Sequence, residues 1–365
     1  SRKSRQKNFN PYGPRRGLAG QNGENRFMPE RLEHLNRFLK ENAWDDADRK
    51  LLAADASFRH YDRLTRGSES MVLMDAPPPM ENVRPFLMID QKLEELGYSA
   101  PHVYAQDEEN GFVLLEDFGD STYTRLLKNG ADERKLYELA VDLLIDLHSR
   151  DEAEVIPEGL ALYDEEALKR EVMLFPDWFM PAAFGKETDK EVVDDFVLLW
   201  EELFPIANNV PKTLVLRDYH VDNLLLLENR KGIHACGLLD FQDALHGTIT
   251  YDIMSLMEDA RRDIDPQLLA DMRGRYMTGL GAKLPNEQDF LASWAVLAAQ
   301  RHVKVLGIFV RLCVRDKKNR YLQHLPRLWS LLERALEHPA LGKLKVWFDK
   351  NVPAEYRGIP ACLLK

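Results

Sequence analysis

The sequence is poor in cysteine, in metal-ligand spacing, in long apolar runs and in positive charge. Its three cysteines, Cys236, Cys313 and Cys362, lie far apart and form no C-x-x-C pair. That argues against a disulfide framework or a structural zinc site and sets a reducing compartment, the cytoplasm, as the expectation. Its ten histidines fall into no H-E-x-x-H or related pattern. The most apolar helical stretch, Leu291–Leu312, is broken by Gln300, Arg301, His302 and Lys304, so no segment reads as a membrane span. Acidic residues outnumber basic ones, 60 to 49, for a net charge of −11. A nucleic-acid partner calls for a basic face, and that class is disfavoured. A nucleotide is still compatible, because a metal ion and a few local cations neutralise its phosphates. With 365 residues and 45% hydrophobic content, the chain can bury the core of one large or two ordinary domains.

What is present centres on the stretch from Leu214 to Asp243. It holds two acidic clusters, Leu216-Arg217-Asp218-Tyr219-His220-Val221-Asp222-Asn223 and Leu239-Asp240-Phe241-Gln242-Asp243. Apolar runs adjoin them at Thr213–Leu216, Leu224–Leu227 and Cys236–Leu239, which predicts short strands carrying polar groups at their ends. An Asp, an Asn five residues on, and a further Asp beyond a hairpin are what phosphoryl transfer needs. One carboxylate orients and deprotonates the attacking hydroxyl, while the Asn oxygen and the second Asp hold magnesium against nucleotide phosphates. The bland alternative is two solvated polar turns, and finding both clusters at strand ends weighs against it.

The rest of the chain divides around this stretch. Residues 1–27 carry seven basic residues against Glu24 alone and read as a disordered basic leader, with Met28 as a natural start. A helix is expected from Pro29. From Ala53 to Leu64 two strands are expected around a tight turn at Asp55–Ser57, where small residues let backbone N–H groups approach a phosphate. Ser57 adds a hydroxyl there, and Arg59 and Arg63 add charge, although the segment lacks G-x-G-x-x-G. Asp75-Ala76-Pro77-Pro78-Pro79 must be a loop. Asn82–Leu96 reads as a helix that Gly97 ends, and Pro101–Tyr104 and Gly111–Leu115 read as two more strands of the same sheet. An apolar strand running into Glu116-Asp117-Phe118-Gly119 suits a hinge whose free backbone groups after Leu115 meet an adenine edge. Helices follow. The helix from Leu136 to Leu147 ends at His148, read as a helix-end residue. Phe175–Pro181 is an aromatic knot, read first as core and second as a wall on which Trp178 stacks against a sugar. Phe196–Phe204 reads as a further helix with Pro205 beyond its end, Gly247 as a break in the chain, and Asp252, near a helix start, as a cap. Arg301, Lys304 and Arg311 share a helix face that either pairs with the protein's own carboxylates or meets an anionic substrate.

Taken together, the segments A-D-A-S-F-R-H-Y, M-D-A-P-P-P, L-L-E-D-F-G-D, F-P-D-W-F, V-L-R-D-Y-H-V-D-N-L, L-L-D-F-Q-D-A and D-A-R-R-D resemble the aminoglycoside phosphotransferase-like, choline kinase-like branch of the protein kinase fold. Within it they are most similar to the anomeric N-acetylmuramate/N-acetylglucosamine kinases of bacterial cell-wall recycling. The resemblance implies an α+β, two-lobed fold: a nucleotide-binding N-lobe with a small antiparallel sheet over 28–117, and a mainly helical catalytic and substrate-binding C-lobe over 118–365. It implies ATP and Mg²⁺ as cofactors and transfer of the γ-phosphoryl group to the C1 hydroxyl of a small sugar, with a monomer compatible. Asp218 becomes the base, and Asn223 and Asp240 the magnesium ligands. Ser57 with Phe58 and Arg59 closes over the phosphates, and Leu115, Glu116 and Phe118 form the adenine hinge. His220 and Asp243 become candidates for sugar contacts, with Arg217 facing a phosphate or a substrate carboxylate.

The sequence also departs from that pattern. The strand Met71-Val72-Leu73-Met74 has no lysine where the wider fold places one on the phosphates, leaving Arg59 or Arg63 to replace it. Leu216 stands where protein kinases have His, and Asp222 where the subgroup often has Gly. Rival readings keep the fold and change the acceptor to an aminoglycoside, choline, homoserine or thiamine, or replace catalysis with a non-catalytic nucleotide-binding scaffold.

Overall fold

Two-fold alternation of apolar side chains builds the first layer. The computed structural model describes residues 29–54, 58–284 and 286–364, so the expectations for the leader 1–27 and for Ser57 lie outside the described residues. Strands β1 (Asp48–Ala54), β2 (His60–Arg66), β3 (Glu69–Asp75), β4 (Val103–Asp107) and β5 (Phe112–Glu116) form an antiparallel sheet in the order β1-β2-β3-β5-β4. The β2–β3 hairpin pairs Arg66 with Glu69 around a two-residue loop, in which Gly67 takes a left-handed φ of 61°. Leu64, Leu73, Phe112 and Leu114 face helix α1 (Pro29–Glu41) and pack on its Leu35, Phe38 and Leu39. Val72, Met74, Val113 and Leu115 point the other way, into a core shared with Phe86, Ile89 and Leu93 of α2 (Arg84–Glu95). The sheet is thus sandwiched between two helices, and only the second face is continuous with the rest of the molecule.

Beyond β5 the chain is mainly helical. In order come α3 (Tyr123–Lys128), α4 (Glu133–Ser149), α5 (Glu152–Val155), α6 (Glu165–Val172), a π-helical turn (Phe175–Phe179), α7 (Met180–Phe184) and α8 (Lys190–Ala207). Strands β6 (Lys212–Val215), β7 (Leu224–Leu226), β8 (Cys236–Leu238) and β9 (Leu245–Thr248) follow, then α9 (Thr250–Met257), α10 (Pro266–Leu280), α11 (Glu287–Asp316), α12 (Leu325–Leu336) and α13 (Gly342–Asn351). Asp132, Asp164, Asp265 and Asn286 cap α4, α6, α10 and α11 through side-chain oxygens that accept first-turn N–H groups. No helix among the described residues is long and apolar enough to cross a membrane.

Three details differ from the expectations. Strand β1 begins at Asp48, ahead of the Ala53 start read from the sequence, because it is an edge strand with exposed Leu51 and Leu52 and no clean alternation. Helix α8 continues through Pro205 to Ala207; a proline near the end of a helix breaks only one bond of the ladder. Strand β9, around Gly247, pairs with β6. A Cβ at Gly247 would come within 3.1 Å of Val215 and Tyr163 side chains, which would have to give by a few tenths of an ångström.

Candidate functional site

Two short antiparallel strand pairs, β6 with β9 and the hairpin β7–β8, carry the polar centre. β7 pairs with β8 in the register Leu224↔Leu238, which sets the end of the first acidic cluster beside the start of the second. Leu239 N–H donates to the carbonyl of Asn223 at 3.0 Å, and Asn223 Nδ2 lies 3.3 Å from Asp240 Oδ2. The same Nδ2 donates to the backbone carbonyl of Asp218 at 2.9 Å, and Gln242 Nε2 donates to Asp240 Oδ1 at 2.7 Å. Asp218, Asn223 and Asp240, predicted together from spacing, are therefore tied into one array.

The backbone is strained where it presents these groups. Asp218 N–H donates to the Leu216 carbonyl at 2.8 Å, closing a three-residue turn with Arg217 at φ 67°, and Asp240 sits at φ 60°. Left-handed non-glycine residues cost roughly 1–3 kcal/mol each and persist only where their surroundings hold them. The holder of the first turn is Asp252 on α9. Its carboxylate accepts the N–H of Leu216 at 2.6 Å and of Arg217 at 2.9 Å. The cap expected of Asp252 is not what it does: the N-cap of α9 is Ile249, which makes no side-chain cap bond. Burial pushes the Asp252 carboxyl up to about 7, against the pull of those two N–H groups and of Arg301.

Charge around Asp218 comes from the long helix α11. Arg301 lies 3.9 Å from the Asp218 carboxylate and donates to the Arg217 carbonyl at 3.3 Å and the Tyr251 hydroxyl at 3.1 Å. Burial pushes the Asp218 carboxyl up, but Arg301, then His220, Lys304 and Arg217, outweigh it and hold the group below the usual carboxylate range. Glu171 on α6 organises the cations. It pairs with Arg217, with Lys304 at 2.8 Å and with Gln300 at 2.9 Å. Burial raises its carboxyl, yet Lys304 and Arg217 bring it down to about 2. Nothing in the sequence marked Glu171, because its partners are 46 and 133 residues away.

One cleft of about 3180 Å³ is lined by every described residue predicted for the site. That is ample for a nucleotide and a sugar together, since single-ligand pockets run to about 300–1,000 Å³. Phe58, Arg59, Leu115, Glu116 and Phe118 line its sheet side. The Glu116 N–H is not free as expected: it donates to the His102 carbonyl at 2.8 Å. Its carboxylate takes Arg230 at 2.6 Å, and Arg230 stacks over Phe118 at 5.1 Å. Arg217, His220, Asp243 and Trp178 line the opposite side. The Arg217 guanidinium is engaged by Glu171 and by the Asp243 carbonyl at 3.3 Å. His220 is buried beside Asn223, and burial, then Arg261, lowers its imidazole below the usual range. The aromatic knot splits: Phe175 and Phe179 are fully buried against Trp329, while Trp178 stays half-buried on the cleft wall. Extra residues in a π-helical turn rotate successive side chains onto different faces. His148 lies in the last turn of α4, which ends one residue further on at Ser149, and is buried and bonded to Tyr276.

The model of the Phosphotransferase enzyme family matches residues 48–284. The chain is 42% identical over 298 residues to the N-acetylmuramate/N-acetylglucosamine kinase of Pseudomonas aeruginosa, covering 80% of this chain and 85% of that protein. It is 34% identical over 352 residues to the protein of the same name from Caulobacter vibrioides, covering 88% and 96%. A putative aminoglycoside phosphotransferase from Ralstonia eutropha superposes with a TM-score of 0.60 at 14% identity, over 86% of this chain and 98% of that one, a likeness of fold. A site built as one carboxylate, an asparagine and a second carboxylate on short paired strands, beneath an antiparallel sheet, belongs with that match, and the chain is a member of the phosphotransferase enzyme family.

Proposed function

We propose that this protein transfers the γ-phosphoryl group of ATP to the anomeric C1 hydroxyl of N-acetylmuramate, N-acetylglucosamine or both. What carries the reading is the name borne by relatives over most of the chain, joined to an Asp218 carboxylate kept ionised at the floor of the cleft by Arg301. A hemiacetal hydroxyl is more acidic than an ordinary alcohol, so a carboxylate of low basicity suffices to accept its proton. Most of the acceleration then comes from positioning. Trp178 supplies a face for the sugar ring, and His220 and Asp243 supply polar contacts. The adenine edge meets the backbone at Asp117 and Phe118, beyond the occupied N–H of Glu116, a reading in which residues 117–118 divide the two lobes.

Asn223 and Asp240 would hold Mg²⁺. Their side chains converge within 3.3 Å, and one carboxylate with one amide oxygen is a donor set that Mg²⁺ accepts when phosphates and water complete its shell. Bound there, the ion neutralises charge on the phosphates. Arg217, Arg301 and Lys304 around the base disfavour a polycationic acceptor such as an aminoglycoside.

The test is ADP release with magnesium-ATP against N-acetylmuramate, N-acetylglucosamine, glucose, kanamycin and choline. Turnover confined to the N-acetylated sugars, and abolished when C1 is methylated, is expected. Turnover on kanamycin or choline alone would overturn the acceptor and keep the kinase.

A further inference from the structure

Among the described residues, no lysine of the sheet lines the cleft. Met74, on β3, is fully buried between Tyr61 and Val113 in the core shared with α2. The cleft-facing cation of the sheet is Arg59, at the foot of β2. Arg63, the other candidate, points along the hinge instead, paired with Asp117 at 2.7 Å and Asp120 at 3.1 Å. Arg59 Nε lies 3.3 Å from Glu81 Oε2. The other oxygen of the same carboxylate, Oε1, accepts the backbone N–H of Phe58 at 3.0 Å. Both side chains are largely buried, at 13% and 15% exposure. Glu81 is itself set by the turn after the three prolines, where its N–H and that of Met80 both donate to the Pro77 carbonyl at 3.0 Å. Across the cleft, Asp240 and Asp243 lie close enough to act electrostatically on Arg59, which, with Tyr61 and Glu81, keeps its guanidinium charged despite burial.

We propose that Arg59 is the phosphate-binding cation of this kinase and that Glu81 is its positioning residue, the two together standing in for the lysine–carboxylate pair that other kinases build from a strand and a helix. In that pair a helix carboxylate aims a strand lysine at the phosphates. Here a carboxylate from a proline-stiffened loop does both jobs at once. One oxygen fixes the guanidinium and the other fixes the backbone at Phe58, so the chain at Phe58 and the cation next to it are aimed as a unit. A planar guanidinium binds phosphate oxygens in a fixed, bidentate geometry that a lysine ammonium does not offer. The proposal rests on reading the cleft as the nucleotide site.

The experiment measures Mg–ADP affinity by calorimetry and steady-state kinetics on the full chain. Arg59→Met is expected to lower kcat/KM for ATP by about 10- to 100-fold with KM for the sugar unchanged, and Arg59→Lys to restore part of the loss. Glu81→Gln keeps an acceptor for Phe58 N–H and removes the charge. Alone it is expected to lower kcat/KM for ATP about tenfold, but within an Arg59→Met background by less than about twofold, because it acts through Arg59. Independent, multiplying effects would overturn the positioning role of Glu81. A loss carried by Arg63→Met and not by Arg59→Met would assign the phosphate contact to the other arginine and overturn the proposal. Asp240→Asn separates the two levels. If it weakens Mg–ADP binding while Arg59→Met does not, the pair's role alone fails. If it leaves binding untouched, the nucleotide reading of the cleft fails and the pair's role falls with it.

Discussion

Arg301 reaches Asp218 from a helix 83 residues further along the chain, so the ionisation of this carboxylate is a tertiary property. A carboxylate whose proton affinity is lowered in this way should be charged across the neutral range, and its substitution should affect chemistry before binding. Asp218→Asn is expected to lower kcat by about 10²–10⁴-fold, the usual range for a lost general base, with ADP affinity within about twofold of the parent. An unchanged turnover would remove the assignment. Glu171 allows a sharper statement. Its carboxyl falls from an ordinary 4.5 to about 2, so folding favours its charged form by about 3 kcal/mol. A lowered value contributes stability above pH 4.5 and loses it as pH falls toward 2. Glu171→Gln should therefore be destabilised by about 3–5 kcal/mol at pH 7, where Arg217 and Lys304 lose their shared partner. The gap to the parent, read by urea unfolding, should shrink steadily between pH 5 and pH 3. A gap that stayed constant would show that the carboxylate's charge is not what matters. At this scale the sequence disclosed residues whose partners are near in the chain: Asp218, Asn223 and Asp240 follow from spacing alone. Glu171, Glu81 and Asp252 were passed over or misread, because each works on a segment that only folding brings to it.

At the scale of elements, α9 and α11 do more than pack. Helix α9 delivers the Asp252 carboxylate to two N–H groups of a left-handed turn, so removing it should relax that turn. Asp252→Ala is expected to lose about 1.5–3 kcal/mol of stability and at least about tenfold in kcat, with KM for ATP little changed. An equal loss in both kinetic terms would point to general unfolding of the cleft instead. Helix α11 approaches the π-helical turn at Gly307, where a Cβ would come within 2.3 Å of the Leu174 carbonyl oxygen. Backbone cannot yield as a side-chain tip can, so Gly307→Ala should cost about 1–3 kcal/mol. It should also raise KM for the sugar more than for ATP, because the same turn carries Trp178 into the cleft. Strands β6, β7 and β8 were legible as apolar runs bounded by polar clusters. Strands β1 and β9 were not: one is an edge with leucines on its open side, and the other is four residues holding a glycine that sequence rules read as a break.

For the whole molecule, the decisive feature is that one apolar core runs from Val72 and Met74 in the sheet, through Phe86 and Ile89 of α2, to Trp329 and Phe348 near the end of the chain. Polar ties reinforce it where sheet and helices meet. The Ser99 hydroxyl donates to the His234 carbonyl at 2.6 Å, and Arg230 bonds Glu116 at 2.6 Å. The two-lobed character was legible because five of the strands fall before Asp117 and mainly helical patterns follow it, and because the motifs resemble a two-lobed family. The continuity between the lobes was not, since periodicity shows that a face is buried and not what buries it. That continuity has a thermodynamic consequence. If the lobes were independent, a ligand in the cleft would stabilise each by a different amount and calorimetry would show two transitions. With a shared core, unfolding should be a single transition. Mg–ADP at a hundred times its dissociation constant should shift the whole of it, corresponding to about 2.7 kcal/mol. Chelating the magnesium, or Asp240→Asn, should remove most of that shift without splitting the peak. Two peaks, of which only the earlier moves with nucleotide, would mean that the polar ties and the α2 face do not couple the lobes, and that the cleft is stabilised locally.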